Sequence, residues 1–150
     1  MSIEKDINQH KFRNEHQKAA INLIYTFNWV TEKMKLFFDE HEITSQQFNI
    51  LRILRGAHKP LSTLQIRERM LDKMSDTSRI VDRLLLKGLV KKAICETDRR
   101  LVDITISKKG ENLLQKLDEH NNDMDSILNN LSEAECETLN QLLDKIRNSE

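Results

Sequence analysis

Residues 90–106, VKKAICETDRRLVDITI, break from the spacing of three and four at which the chain's other apolar positions recur, and their last six residues run on a period of two. Val102, Ile104 and Ile106 alternate with Leu101, Asp103 and Thr105, and VKKAIC mixes β-branched with polar residues, so both runs read as strands. The five residues between them, Glu96 to Arg100, suit a longer hairpin loop in which Asp98 helps to form the turn. Elsewhere the chain favours helices. Its 150 residues hold only three Gly and one Pro, and aromatic residues make up 5%, a balance that disfavours a sheet fold. The length suits one domain with a real core, or a small domain extended by long helices that need a partner.

The helices can be placed from their caps and apolar stripes. In residues 14–40, Ala20, Leu23, Ile24, Phe27, Val30, Met34, Phe37 and Phe38 mark one long amphipathic helix. Thr44 with Gln47 reads as a capping pair for a second helix carrying Phe48, Leu51 and Leu54 and ending at Gly56. Ser62 with Gln65 repeats that spacing for a short third helix, with Leu64, Met70 and Leu71 as its apolar contacts. In the fourth, Ser75 caps, Ile80, Val81, Leu84 and Leu85 face inward, and Gly88 stands where a left-handed C-terminal residue belongs. Ser107 then opens a long helix through Leu128, and SEAE at 132–135 opens a last one carrying Leu139, Leu142, Leu143 and Ile146.

The net charge of zero is unevenly spread: residues 1–66 carry +2, residues 67–110 carry +5 and residues 111–150 carry −7. A basic middle in a neutral chain points to a local polyanion contact. No apolar run approaches a membrane span, and the charged start MSIEKDINQHKFRNEHQ does not suit a signal peptide, so a cytoplasmic protein without membrane association is expected. Cys95 and Cys136 lack CxxC spacing and fit a reducing compartment. The five histidines show no pair at three or four residues, so no metal site is read. There is no glycine-rich phosphate loop, nucleophile motif or paired-acid signature, and neither enzymatic activity nor a cofactor is expected.

Three helices followed by a hairpin, the last helix polar at its head, make the winged form of the helix-turn-helix. A major groove admits one α-helix, whose N-terminal side chains meet base edges while its inner face stays packed. Ser75, Thr77, Ser78, Arg79 and Arg83 are the candidates for that role, weighed against plain capping and surface pairing for any one of them. At the hairpin tip, Arg100 is placed to probe the adjacent minor groove with Asp98 holding its guanidinium. Arg99, Lys91, Lys92, Lys108 and Lys109 would add phosphate contacts, which give affinity and salt dependence without sequence information.

The stretches ITSQQFNILRIL (43–54), SRIVDRLLLKGLV (78–90), DRR (98–100) and ITISKKGENLL (104–114) resemble the MarR (multiple antibiotic resistance) family of regulators. The resemblance implies a winged helix-turn-helix over 44–110, flanked by dimerisation helices over 8–40 and 111–150, in one domain of 1–150. It implies a homodimer, a repressor bound to double-stranded DNA at a pseudo-palindromic operator, and Asp98 and Arg100 in the family's wing positions. It also implies release by a small lipophilic or phenolic effector, for which Phe27, Trp29, Met34 and Phe48 are candidate pocket residues beside the plainer reading as core. The family's peroxide-sensing branch uses a cysteine near the start of its first helix, and no cysteine precedes Cys95 here. Cys136 is read as packing and Cys95 as a quiet strand cysteine. The rival function is an adaptor whose winged domain binds protein, a use the fold permits, although the basic middle and the Asp98–Arg100 tip would serve no purpose in it.

Overall fold

The computed structural model describes residues 2–98 and 102–148. In chain order these form α1 (Ile3–Asp6), α2 (Glu15–Asp39), α3 (Ser45–Ala57), β1 (Leu61–Ser62), α4 (Thr63–Arg69), α5 (Thr77–Leu86), β2 (Val90–Ile94), β3 (Val102–Ile106), α6 (Lys108–Asp118), α7 (Asn121–Asp125) with a 3-10 turn at Ser126–Leu128, and α8 (Glu133–Arg147). The structure is mainly α with a small antiparallel sheet, as the sequence pattern predicts.

Local chemistry sets most boundaries. The Thr44 hydroxyl accepts from the Gln47 N–H at 3.1 Å while Gln47 Oε1 accepts from the Thr44 N–H at 3.2 Å. Ser62 and Gln65 form the same reciprocal pair on α4, and Ser132 and Glu135 form it on α8, so each box satisfies two otherwise orphaned donors. Hydrogen bonds from Ser132 hold the Glu135 carboxyl below its ordinary pKa. Gly88 ends α5 at φ +70°, its N–H bonded to the Leu85 carbonyl and the Leu89 N–H to that of Leu84, the paired pattern of a Schellman close. Gly56, by contrast, lies inside α3. His58 takes the left-handed position (φ 51°) that ends that helix, a conformation in which His is enriched among non-glycine residues.

The predicted hairpin is the larger part of a three-stranded sheet of order β1-β3-β2, with Val90 opposite Ile106, Ile94 opposite Val102 and Leu61 opposite Ile104. Ile104 on the middle strand is fully buried, and around it pack Phe38, Leu51 and Leu54, Leu61, Ile66 and Met70, Ile80, Val81 and Leu84, and Leu114 and Leu117. This core fixes α5 with its inner face on α3 and α4. The apolar contacts of α4 come from Ile66 and Met70, whereas Leu64 and Leu71, expected to share in them, are 65% and 84% exposed. The long helix expected to follow Ser107 stops at Asp118 and resumes as α7. The break places the His120 ring beside His41 and Phe37, with ring centroids 5.6 and 6.5 Å apart.

Sheet, α5 and α6 meet at Gly110. Ser107 donates its hydroxyl to the Gly88 carbonyl at 2.6 Å and accepts from the Gly110 N–H at 3.1 Å. A Cβ at position 110 would stand 2.3 Å from the Leu89 carbonyl oxygen and 2.8 Å from Ile106 Cγ1. Backbone has to move to admit it, so Gly110→Ala should cost about 1–3 kcal/mol, the usual range for overpacking. Urea unfolding measures this, and an unchanged midpoint would show that the junction yields freely.

Among the described residues, α2 and α8 are left with uncovered apolar faces in the single chain. Along α2, Ile24, Phe27 and Leu36 are 60–66% exposed, and α8 has no buried residue, with Leu142 and Ile146 at 54% and 67%. Among the described residues no helix is long and apolar enough to cross a membrane.

Candidate nucleic-acid interface

The first determinant is the link from α4 to α5. Met70 leaves α4 in an extended conformation, and Asp72 then organises the turn: its Oδ1 accepts from the Met74 N–H at 3.0 Å, its carbonyl accepts from the Ser75 hydroxyl at 2.8 Å, and its Oδ2 accepts from Gln46 Nε2 of α3 at 3.1 Å. An aspartate bonding the N–H two residues on is an Asx turn, here anchored to the preceding helix.

The helix cap is Asp76, whose Oδ1 accepts from the Arg79 N–H at 3.2 Å. Ser75, read from sequence as the cap, has its hydroxyl committed to Asp72 and is buried. Two adjacent cap-competent residues compete for that place, and the carboxylate also faces the positive end of the helix dipole. Thr77 is turned inward as well, only 3% exposed, and among the described residues its hydroxyl has no hydrogen-bond partner. Of the five recognition-helix candidates, the structure therefore brings Ser78, Arg79 and Arg83 together on the outer face and turns Ser75 and Thr77 toward the domain. Asp82 and Leu86 complete the exposed stripe. Ile80, Val81 and Leu84 form the buried one, so α5 is held rigidly and presents one face.

The basic side chains predicted to touch phosphate are dispersed. Lys91 is exposed on β2, and the Lys92 ammonium lies 3.9 Å from Asp82. Lys108 lies 3.7 Å from Glu111 on the first turn of α6, and exposed pairs of this kind contribute little to stability. Lys109 donates to the Lys87 carbonyl at 2.8 Å, covering the C-terminal end of α5, roughly 15 Å along the helix from its N-terminal end. The sheet strands lead toward a tip at which Asp98 is described, while Arg99 and Arg100 lie outside the described residues.

Two clefts flank α5. One, of about 510 Å³, is lined by Thr63, Leu64 and Arg67 of α4 and by Met74 to Ser78. Sequence reasoning passed over Arg67 and Met74 and read Leu64 as an apolar contact of α4; the signal available was an apolar Met74 standing outside every helical stripe. The other, of about 640 Å³, is lined by the turn after α2 (Glu40 to Glu42), Lys87, Leu89, Lys109, Leu113 and Lys116. Neither contains the residues proposed for an effector pocket. Phe48 is core, its ring tilted against that of Phe38 with centroids 4.8 Å apart, and Met34 packs beside that core; Phe27 is largely exposed, and Trp29 lies beneath the Lys33 ammonium. No group of three or more metal-capable side chains occurs among the described residues.

The MarR family model matches residues 43–102, the span from just before α3 to the start of β3. The chain is 30% identical over 112 residues to the HTH-type transcriptional regulator PecS of Dickeya dadantii, covering 73% of this chain and 68% of PecS. It is 27% identical over 131 residues to the HTH-type transcriptional regulator MhqR of Bacillus subtilis, covering 86% of this chain and 89% of MhqR. Among solved structures, a mutant MarR from E. coli complexed with operator DNA superposes with a TM-score of 0.80 at 20% identity, covering 91% of this chain and 99% of that one. PecS and MhqR are both HTH-type transcriptional regulators.

Proposed function

The chain belongs to the MarR family of transcription regulators, and from that membership we propose a homodimer that binds a pseudo-palindromic operator through α5 and is released by a small-molecule effector. The observation that carries this reading is the outer face of α5. Arg79 and Arg83 stand exposed one turn apart on a helix whose opposite face is locked into the core. That is what insertion into a major groove needs: cationic side chains outward, and a backbone that cannot yield. The uncovered apolar faces of α2 and α8 supply the surface a second copy would bury, and two-fold symmetry would set two copies of α5 on successive grooves. Repression, rather than activation, follows the usual behaviour of the family.

Fluorescence anisotropy with the DNA just upstream of the chain's own gene, across a salt series, tests the proposal. Expected are a preference over unrelated DNA and a log–log salt slope of several units, since each neutralised phosphate contributes about 0.9. Equal, weak binding to every duplex would remove the regulator reading.

A further inference from the structure

We infer that Met74 and Leu64 read thymine, by enclosing its methyl group in the cleft at the head of α5; the inference rests on the DNA-binding reading above and assigns a specificity role within it. Met74 is 93% exposed and Leu64 is 65% exposed, yet both line one cleft with Arg67, Asp76 and Ser78. Neither belongs to the apolar faces of α2 and α8, and neither contributes to the core. Each lies where the reading helix begins.

The exposure of Met74 is built in rather than a consequence of a loose loop. Its N–H is bonded to Asp72 Oδ1, the next residue's hydroxyl is bonded to the Asp72 carbonyl, and Asp72 itself is tied to Gln46 on α3. The turn is pinned on three sides, and the thioether side chain is thrust outward immediately ahead of the Asp76 cap. Asp72 is thus a positioning residue for Met74.

The edges of base pairs in a major groove carry one apolar group larger than a hydrogen, the thymine 5-methyl; the polar features there are hydrogen-bond donors and acceptors. An unbranched thioether adapts its shape to such a group, and Leu64 on the facing helix supplies the second wall. Arg67, on the same cleft, is placed for the phosphate flanking that base. Deoxyribose is the other apolar surface a duplex offers, and it does not change when the methyl is removed.

The test replaces thymine by deoxyuridine in the upstream DNA, first throughout and then one position at a time. Wild type should lose about four-fold in affinity for each methyl withdrawn from the cleft, the worth of one buried methyl-sized group, at one position in each half-site. Met74→Gln and Leu64→Gln keep the side-chain volume and should bind thymine and deoxyuridine duplexes alike at those positions. Because the variants meet the same DNA, effects of deoxyuridine on duplex shape cancel in the comparison. Specific binding by wild type with no response to deoxyuridine, or an equal response in wild type and both variants, overturns the inference alone. Absence of any preference for the upstream DNA overturns the regulator reading and the inference with it.

Discussion

Arg79→Ala is expected to weaken binding to the operator by about 5- to 150-fold, the equivalent of roughly 1–3 kcal/mol for one good contact to a base edge, and to flatten discrimination at one base pair of each half-site. Arg79 is the first arginine of α5, on the turn capped by Asp76, and the first turn of a reading helix is the part that goes deepest into the groove. Arg83 follows one turn later on the same face, and in the proposed docking it would stand nearer the sugar-phosphate walls. Arg83→Ala should therefore lower affinity by a similar factor for all sequences and reduce the salt slope by about one. Competition binding against operators varied one base pair at a time separates the two. If Arg79→Ala keeps wild-type affinity and wild-type preferences, α5 is not the reader. Folding is not at issue in either variant, because both side chains are exposed and the buried stripe of Ile80, Val81 and Leu84 is untouched.

What the sequence made legible divides along a physical line. Elements set by their own residues were readable: the Thr44–Gln47, Ser62–Gln65 and Ser132–Glu135 boxes and the Gly88 close all stand where their spacing puts them. Elements set by distant partners were not. The two residues of β1 have no period of their own and become a strand only by pairing with Asp103 and Ile104. The interruption after Asp118 carries no Gly or Pro, and its surroundings include Phe37 of α2 and His41 of the turn that follows it, about eighty residues earlier. The site divides in the same way. Arg79 and Arg83 follow from periodicity, since the apolar positions of α5 define its other face. Leu64, Leu71 and Met74 are apolar residues whose exposure depends on where Ile66 and Met70 pack, and a lone chain of letters does not distinguish a buried methionine from a displayed one. The tip residues Arg99 and Arg100 stay as sequence reading, outside the described residues.

The apolar faces left open on α2 and α8 carry the second large effect. Phe27 is 66% exposed and Ile24 62% exposed on α2, with Leu142 and Ile146 at 54% and 67% on α8, more uncovered apolar surface than scattered surface residues explain. A charged group in the middle of such a face, once covered, would be buried without a counterion, a change that costs several kcal/mol. Phe27→Asp is therefore expected to convert the protein from dimer to monomer at micromolar concentration, seen by sedimentation, with its helix content by circular dichroism kept because the core residues of the winged part are elsewhere. Operator affinity should fall at least about 100-fold, since each half-site would then bind alone and the gain from linking two contacts, about 10²–10⁴, would vanish. The residual affinity should match that of wild type for a duplex carrying one half-site. A wild-type protein that sediments as a monomer, or a monomeric variant that holds the full operator undiminished, would mean that α2 and α8 are covered by something other than a second copy and that one α5 suffices for recognition.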